Sequence, residues 1–372
     1  MTLALTHSSW INAWTLQRAC AELGVGLRVP PGAREMPLPM LREGEVPQWL
    51  FFTEEASLRQ ALQQRDAAAS GARFLPERFP LELLDDKWAF AEYLAQDAAG
   101  PRGLRQWSWT EADCASYPML LKARHSWFEG RKLPRGWLCA DADALALRRA
   151  HLVAQGLAEE WYFLQEWLGE RGAHEVLSVA GFFDAAAPQR NLALLTRRVR
   201  DYGGNDGDHG NHGDGGPSSS AMLVTEDDER GLVAATERVL ARLAYRGPYE
   251  MEYIATRDRC LLLELNPRFW MQHGLFLARG NALVRRYLGL DAAPATAAAP
   301  VAAAAEPAAA ASPPLVWIDG VWLARQLARG RFGLLNELWT WRVHRGHRLV
   351  ICPNLPALVK MALWRAFGGA RR

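Results

Sequence analysis

GPYEMEYIATRDRCLLLELNPRFW, residues 247–270, puts acids where a buried strand should carry apolar side chains. The stretch reads as two strands, YEMEYI (249–254) and CLLLELN (260–266), flanking the turn Thr256-Arg257-Asp258-Arg259. If Thr256 pairs with Cys260 across a three-residue loop, Glu252 stands directly opposite Glu264. Directly opposed side chains have Cβ atoms roughly 4.5–5.5 Å apart, and like charges there destabilise a sheet unless something positive offsets them. A strand has period two, so Asn266 shares the face of Glu264 while Leu263 and Leu265 point to the core. Two carboxylates and an amide oxygen make a hard, all-oxygen donor set that suits Mg2+ bound together with substrate phosphates. Pro267 stops the strand and delivers Arg268 to the mouth of this face, where a guanidinium fork suits a carboxylate or phosphoryl oxygen. The competing reading is a solvated sheet face, and the Leu-Leu-Leu-Glu-Leu-Asn-Pro-Arg context argues against it.

Outward from this hairpin, strands are expected at PMLLK (118–122), WLCA (137–140), YFLQEW (162–167), EVLSVAGFFD (175–184) and LALLTRRV (192–199), with helices at about 141–155 and 226–244. The chain is therefore α/β (α+β), with largely antiparallel strands in this region. Before it, a short strand, a helix from about Asn12 to Leu23 ended by Gly24, and Leu27-Arg28-Val29 form one unit. WLFFTEEASLRQAL (49–62) repeats the strand, turn and helix, so residues 1–80 read as a small α/β domain with a partly parallel sheet. A further helix begins around Leu84-Asp85-Asp86-Lys87, with acids in its first turn, and runs to about Leu94. Residues 81–290 then form the main domain, 291–314 an Ala/Pro-rich linker, and 315–372 a basic, Trp-rich C-terminal segment. GGNDGDHGNHGDGG (203–216) is too polar and glycine-rich to build a core. Its His209 and His212 could bind metal, but an insertion loop is the favoured reading.

With 372 residues the chain has room for two or three domains. No run of about 18 apolar residues could span a bilayer, and the first residues lack a basic leader and a cleavage site, so a cytoplasmic location is expected. The five cysteines form no CxxC pair, which fits reduced thiols better than disulfides or zinc. A net charge of +2 gives no electrostatic argument for nucleic acid. The charge is uneven, since residues 315–372 hold ten Lys/Arg against Asp319 and Glu337. Together with tryptophans and the apolar LPALVKMALWRAF (355–367), this segment could rest on an anionic membrane surface, although packing against its own catalytic domain is favoured.

Work on a nucleotide also needs cations over its phosphates and a hinge for its base. Lys122 ends the apolar strand Met119-Leu120-Leu121, and Lys87 begins a helix after two acids. Gln165-Glu166-Trp167-Leu168-Gly169 leaves a strand for a turn, where backbone groups and Glu166 could read an adenine edge. The loop 123–136 is basic rather than glycine-rich, so cationic side chains would have to stabilise a transferring phosphate there.

Read in order, Asp86-Lys87, PMLLK, QEWLG, GPYEMEY and LLLELNPR resemble the ATP-grasp superfamily over about residues 50–290, and the α/β start resembles its N-terminal, Rossmann-like pre-ATP-grasp domain. The resemblance implies that ATP and Mg2+ are the cofactors. Lys87 and Lys122 would contact the phosphates, Glu166 and the Leu168 backbone would hold adenine, and His174 or Glu175 would meet the ribose. Glu252, Glu264 and Asn266 would carry Mg2+, and Arg268 would hold an acyl phosphate or a substrate carboxylate. The implied reaction activates a carboxylate as an acyl phosphate and joins it to an amine. Small-molecule carboxylate and amine substrates follow, and relatives are often homodimers. Gln272 stands near where biotin carboxylase-like members carry a glutamate, so the chain looks closer to the carbamoyl-phosphate-synthase-like, carboxylate–amine ligase branch. Arg197, Arg198 and Arg200 fall where relatives place substrate-facing basic residues. The unusual phosphate loop keeps an alternative open, a catalytically silent ATP-binding protein with an assembly or membrane-surface role.

Overall fold

In the computed structural model the residues described are 1, 3–5, 10–29, 40, 42, 45–65, 72–109, 111, 116–125, 127–128, 131–134, 136–169, 174–201, 220–290, 313–354 and 356. The 203–216 loop with His209 and His212, linker residues 291–312 and, apart from Pro356, the apolar 355–367 stretch lie outside them. So do the side chains of Arg131, Lys132 and Arg135 in the basic loop.

The first unit holds β1 (Leu3–Leu5), α1 (Trp10–Glu22), β2 (Leu27–Arg28), β3 (Trp49–Phe51) and α2 (Glu55–Arg65). Its three strands are all parallel in the order β2-β1-β3, a pairing that requires crossovers such as α1. Gly24, at φ +70, takes the left-handed backbone that ends α1. α3 (Lys87–Ala95) follows, and the acids precede it instead of filling its first turn. Asp86 is its N-cap and accepts from the backbone N–H of Trp88 and Ala89 at 3.0 Å each.

A four-stranded antiparallel sheet comes next, from β4 (Gln106–Trp107), β5 (Met119–Ala123), β8 (Gly136–Cys139) and β9 (Tyr162–Glu166), in the order β4-β9-β5-β8. The short pair β6 (Trp127–Phe128) and β7 (Arg131–Lys132) lies between β5 and β8 in the chain. α4 (Ala142–Ala154) backs the sheet, and Leu145 and Leu152 pack with Met119, Leu121, Trp137 and Leu164.

The largest sheet uses β10 (Glu175–Asp184), β11 (Leu192–Asp201), β12 (Ser220–Thr225), β13 (Arg246–Ala255), β14 (Cys260–Asn266), β15 (Leu315–Asp319) and β16 (Arg348–Cys352). Its order is β14-β13-β10-β11-β12-β15-β16. Leu177 and Val179 of β10 join a core with α3, while Ala180 and Phe182 on the other face pack against Leu3, Leu5 and Phe51 of the first unit. This two-sided burial explains the continuous apolar run of β10. α5 (Leu232–Arg242) starts later than the sequence suggests, because Asp228 accepts from the N–H groups of Leu232 and Val233 at 2.7 and 2.9 Å and fixes the start there.

After α6 (Ala282–Tyr287) the chain returns to this sheet. β15 pairs antiparallel with β12, and β16 pairs parallel with β15 through α7 (Gly320–Ala328), α8 (Gly333–Trp339) and a π-helical turn, Thr340–His344. Trp317 of β15 is completely buried. Residues 315–352 thus complete the sheet that carries the hairpin. Among the described residues no helix is long and apolar enough to cross a membrane.

Candidate active site

The hairpin β13–β14 reaches the expected acid register by a different route. The turn holds four residues, with Ala255 paired to Cys260 and the Thr256 N–H donating to the Arg259 carbonyl at 2.8 Å. The three-residue loop from Thr256 to Cys260 does not form. A bulge at Leu263 absorbs the one-residue offset, so Tyr253 faces Leu262 while Glu252 faces Glu264, Met251 faces Leu265 and Glu250 faces Asn266. The expectation that Leu263 and Leu265 both point to the core is therefore corrected. Leu262 and Leu265 enter the core, and Leu263 is only half-buried.

Glu252, 7% exposed, and Glu250, 6% exposed, sit on one face of β13. Burial and then the Glu264 carboxylate push the Glu252 carboxyl well above the usual range, with the Arg198 guanidinium at 3.5 Å as partial compensation. Glu250 is pushed up to about 7 by burial, and its carboxylate accepts from the Asn266 side-chain amide at 3.2 Å. Glu250 escaped the sequence reading although its signal was present, two residues before Glu252 and so on the same face.

Arg268 leaves β14 toward this face and is held by Glu55 at the start of α2, with Nε and Nη2 at 2.6 and 2.5 Å from the carboxylate. Its Nη1 donates to the Phe269 carbonyl at 3.1 Å and its Nη2 to the Asn266 Oδ1 at 3.4 Å. Burial alone would raise the Glu55 carboxyl, but the adjacent Arg268 outweighs it and holds the group below its ordinary value. A small pocket lined by Glu55, Lys87, Glu264 and Asn266 joins α2, α3 and β14.

Lys122 projects from β5, with its ammonium 3.1 Å from the Gln165 Oε1. Burial, then repulsion from Lys87, push it down to about 8 against the pull of Glu264 and Glu252. Lys87 lies 3.6 Å from Asp85. The two lysines and the acids of the hairpin thus share one electrostatic neighbourhood, drawn from two different sheets and the start of α3. Two side chains of the basic loop are committed elsewhere, since Arg124 pairs with Asp86 at 2.7 Å and His125, whose imidazole burial pushes down, has Nε2 3.5 Å from the same carboxylate. They brace the start of α3, where the Lys87 N–H donates to the Arg124 carbonyl at 3.1 Å.

The Glu166 carboxylate, at the end of β9, accepts from the Arg105 N–H at 2.9 Å and pairs with Arg259 of the hairpin turn at 3.1 Å. This contact ties the four-stranded sheet to the hairpin. Leu168 is half-buried just after β9 and His174 half-buried just before β10. Glu175 is exposed, 3.5 Å from Arg230 and 4.0 Å from Arg197. Arg200 reaches away from the hairpin to Glu337 of α8, at 2.8 Å.

Among the described residues no group of three or more His, Cys, Asp or Glu is arranged to hold a metal ion by itself. Glu252, Glu264 and Asn266 supply two carboxylates and an amide oxygen, a set that fits Mg2+ when phosphate oxygens complete the coordination. Burial first, and then the facing Glu264 carboxylate, raise the Glu252 carboxyl, and a cation bound there would favour its ionised form.

The chain matches no protein-family model and no curated protein. Its structure is similar to the biotin carboxylase domain of Hydrogenobacter thermophilus 2-oxoglutarate carboxylase, solved with MgADP, ADP and bicarbonate, at TM-score 0.53 and 14% identity over 77% of this chain and 69% of that one. It is similar to N5-carboxyaminoimidazole synthetase of Staphylococcus aureus, at TM-score 0.54 and 11% identity over 77% of each chain. The N5-carboxyaminoimidazole ribonucleotide synthetase of Thermus thermophilus gives TM-score 0.52 and 15% identity over 78% of each chain. At these identities the likeness is one of architecture, and the architecture that these neighbours share with this chain is the ATP-grasp fold.

Proposed function

We propose that this protein is an ATP- and Mg2+-dependent ligase that activates a substrate carboxylate as an acyl phosphate and joins it to an amine. The observation that carries this reading is the buried Glu252 opposed to the half-buried Glu264 beside Asn266, in one electrostatic neighbourhood with Lys122 and Lys87. Glu252, Glu264 and Asn266 would hold Mg2+, which when bound supplies positive charge against the phosphates. Lys87 and Lys122 lie over the phosphates and neutralise charge as the γ-phosphoryl group moves. Glu166 and the Leu168 backbone border the adenine, and His174 or Glu175 meets the ribose. Arg268, oriented by Glu55, holds the substrate carboxylate and then its acyl phosphate. A carboxylate oxygen attacks the γ-phosphorus and ADP leaves. The amine then attacks the carbonyl carbon, and phosphate departs. None of these steps needs a nucleophile from the protein.

Gln272 is buried in the 3-10 helix Met271–Arg279 and brings no carboxylate to the site. We therefore assign an organic acid, rather than bicarbonate for transfer to biotin, as the substrate class. A second reading, nucleotide binding without catalysis, draws on the engagement of Arg268 by Glu55 and of Arg124 and His125 by Asp86. One experiment separates the two. The protein is incubated with Mg·ATP, pooled organic acids and hydroxylamine, with bicarbonate alone as a parallel arm. The ligase reading predicts ADP release and a hydroxamate that depend on one organic acid. Nucleotide binding with neither product in any pool would overturn it.

A further inference from the structure

Twelve consecutive residues near the C-terminal edge of the large sheet expose four large apolar side chains. They are Phe332 (63% exposed), Leu335 (48%), Trp339 (60%) and Val343 (49%). Their spacings of three, four and four place them on one side of α8 and its π-helical continuation. Leu334, Leu338 and Trp341 occupy the opposite side and pack on β12, β15 and α7. The inner face thus already satisfies the core, and the outer stripe is additional. Burial of α8 cannot account for it.

The charge around the stripe has one sign. Arg329, Arg331, Arg342, His344 and Arg345 are all exposed. The one acid of the two helical turns, Glu337, faces inward to Arg200 at 2.8 Å. We propose that this face docks the protein on an anionic lipid surface, with Phe332, Leu335, Trp339 and Val343 entering the headgroup layer and the arginines meeting lipid phosphates.

The shape favours lipid over another macromolecule. The stripe is a ridge on a single helix, which a deformable headgroup layer accommodates without a complementary groove. Aliphatic Leu335 and Val343 offer nothing to a nucleic-acid backbone, where cations and stacking aromatics would suffice. The strand order sets β15 and β16, which carry this face, at the opposite edge of the sheet from β13 and β14, so docking leaves the acid hairpin accessible.

The test uses the full chain in co-sedimentation with phosphatidylcholine vesicles, with and without phosphatidylglycerol, at low and high salt. Binding is expected only to the phosphatidylglycerol vesicles and should weaken with salt. The double change Phe332→Ser/Trp339→Ser should weaken it by about tenfold or more, and Arg331→Gln/Arg342→Gln by roughly as much. Both variants should keep the wild-type melting temperature and nucleotide affinity. No binding by the wild type, or undiminished binding by the Phe332→Ser/Trp339→Ser protein, overturns the proposal. It is also overturned if duplex DNA binds as tightly as the vesicles with the same sensitivity to the serine changes.

Discussion

Lys122 is a cation at the end of an apolar strand, pushed down to about 8 by burial and then by Lys87. Its two pH effects have opposite signs. In the folded state its value lies below that of the unfolded chain, roughly 10.4, so holding the charge costs stability below pH 8, and that cost is relieved as pH rises toward the unfolded value. The phosphate contact behaves in the reverse sense, because the neutral amine above pH 8 no longer attracts an anion. Nucleotide affinity should therefore fall as pH rises through about 8, while the melting temperature of the ligand-free wild type gains relative to Lys122→Met. Calorimetric titration across this window checks the first, and paired thermal melts the second. In Lys122→Arg the affinity should lose its dependence on pH in this window. At this scale the sequence was legible where polarity broke a pattern, as with Glu252, Glu264 and Asn266 in an apolar strand. It was silent on the partner of Arg268, because Glu55 lies 213 residues away and only the folded chain brings it near.

The hairpin shows how far an element can be read before its structure is known. Two-residue periodicity gave the facing acids, but turn length and bulge are coupled, and a three-residue turn without a bulge and a four-residue turn with one produce the same opposition. Only the fate of Leu262 and Leu263 distinguishes them, and both are leucines. Helix α3 carries a prediction of its own. Asp86 caps it, receives Arg124 and His125, and immediately precedes Lys87, so its carboxylate holds the start of the helix against the end of β5. Asp86→Ala should destabilise the protein by about 1–2 kcal/mol through loss of the cap, with the orphaned Arg124 adding to that. It should also weaken nucleotide binding by displacing Lys87. Asp86→Asn keeps a capping oxygen and should recover most of the stability. Denaturant unfolding and nucleotide titration on both variants read these effects, and an unchanged nucleotide affinity in Asp86→Ala would separate the cap from the site.

Across the whole molecule, the site is assembled from parts that lie far apart in the chain. The acids come from the large sheet, Lys122 from the four-stranded sheet, Lys87 from the helix between the first unit and that sheet, and the anchor of Arg268 from α2. The alternation of strands and helices announced these parts, and their order carried the resemblance to ATP-grasp enzymes. That residues 315–352 return to add β15 and β16 beside β12 was not legible, since local pattern does not say which edge a strand joins across a long, Ala/Pro-rich stretch. The proposed activity requires that the hairpin acids hold a metal-bound nucleotide. The direct test is calorimetric titration of ADP into the wild type and Glu264→Gln, each with Mg2+ and with EDTA, alongside thermal melts. The wild type should bind ADP at least about tenfold more tightly with Mg2+, as expected for a metal contact worth more than about 1.4 kcal/mol. Glu264→Gln should lose that difference, while its ligand-free form melts higher by an amount worth about 0.5–1 kcal/mol, because a like-charge pair has been relieved. Wild-type affinity that is the same in EDTA as in Mg2+, or a Glu264→Gln protein with the full Mg2+ effect, would contradict the account.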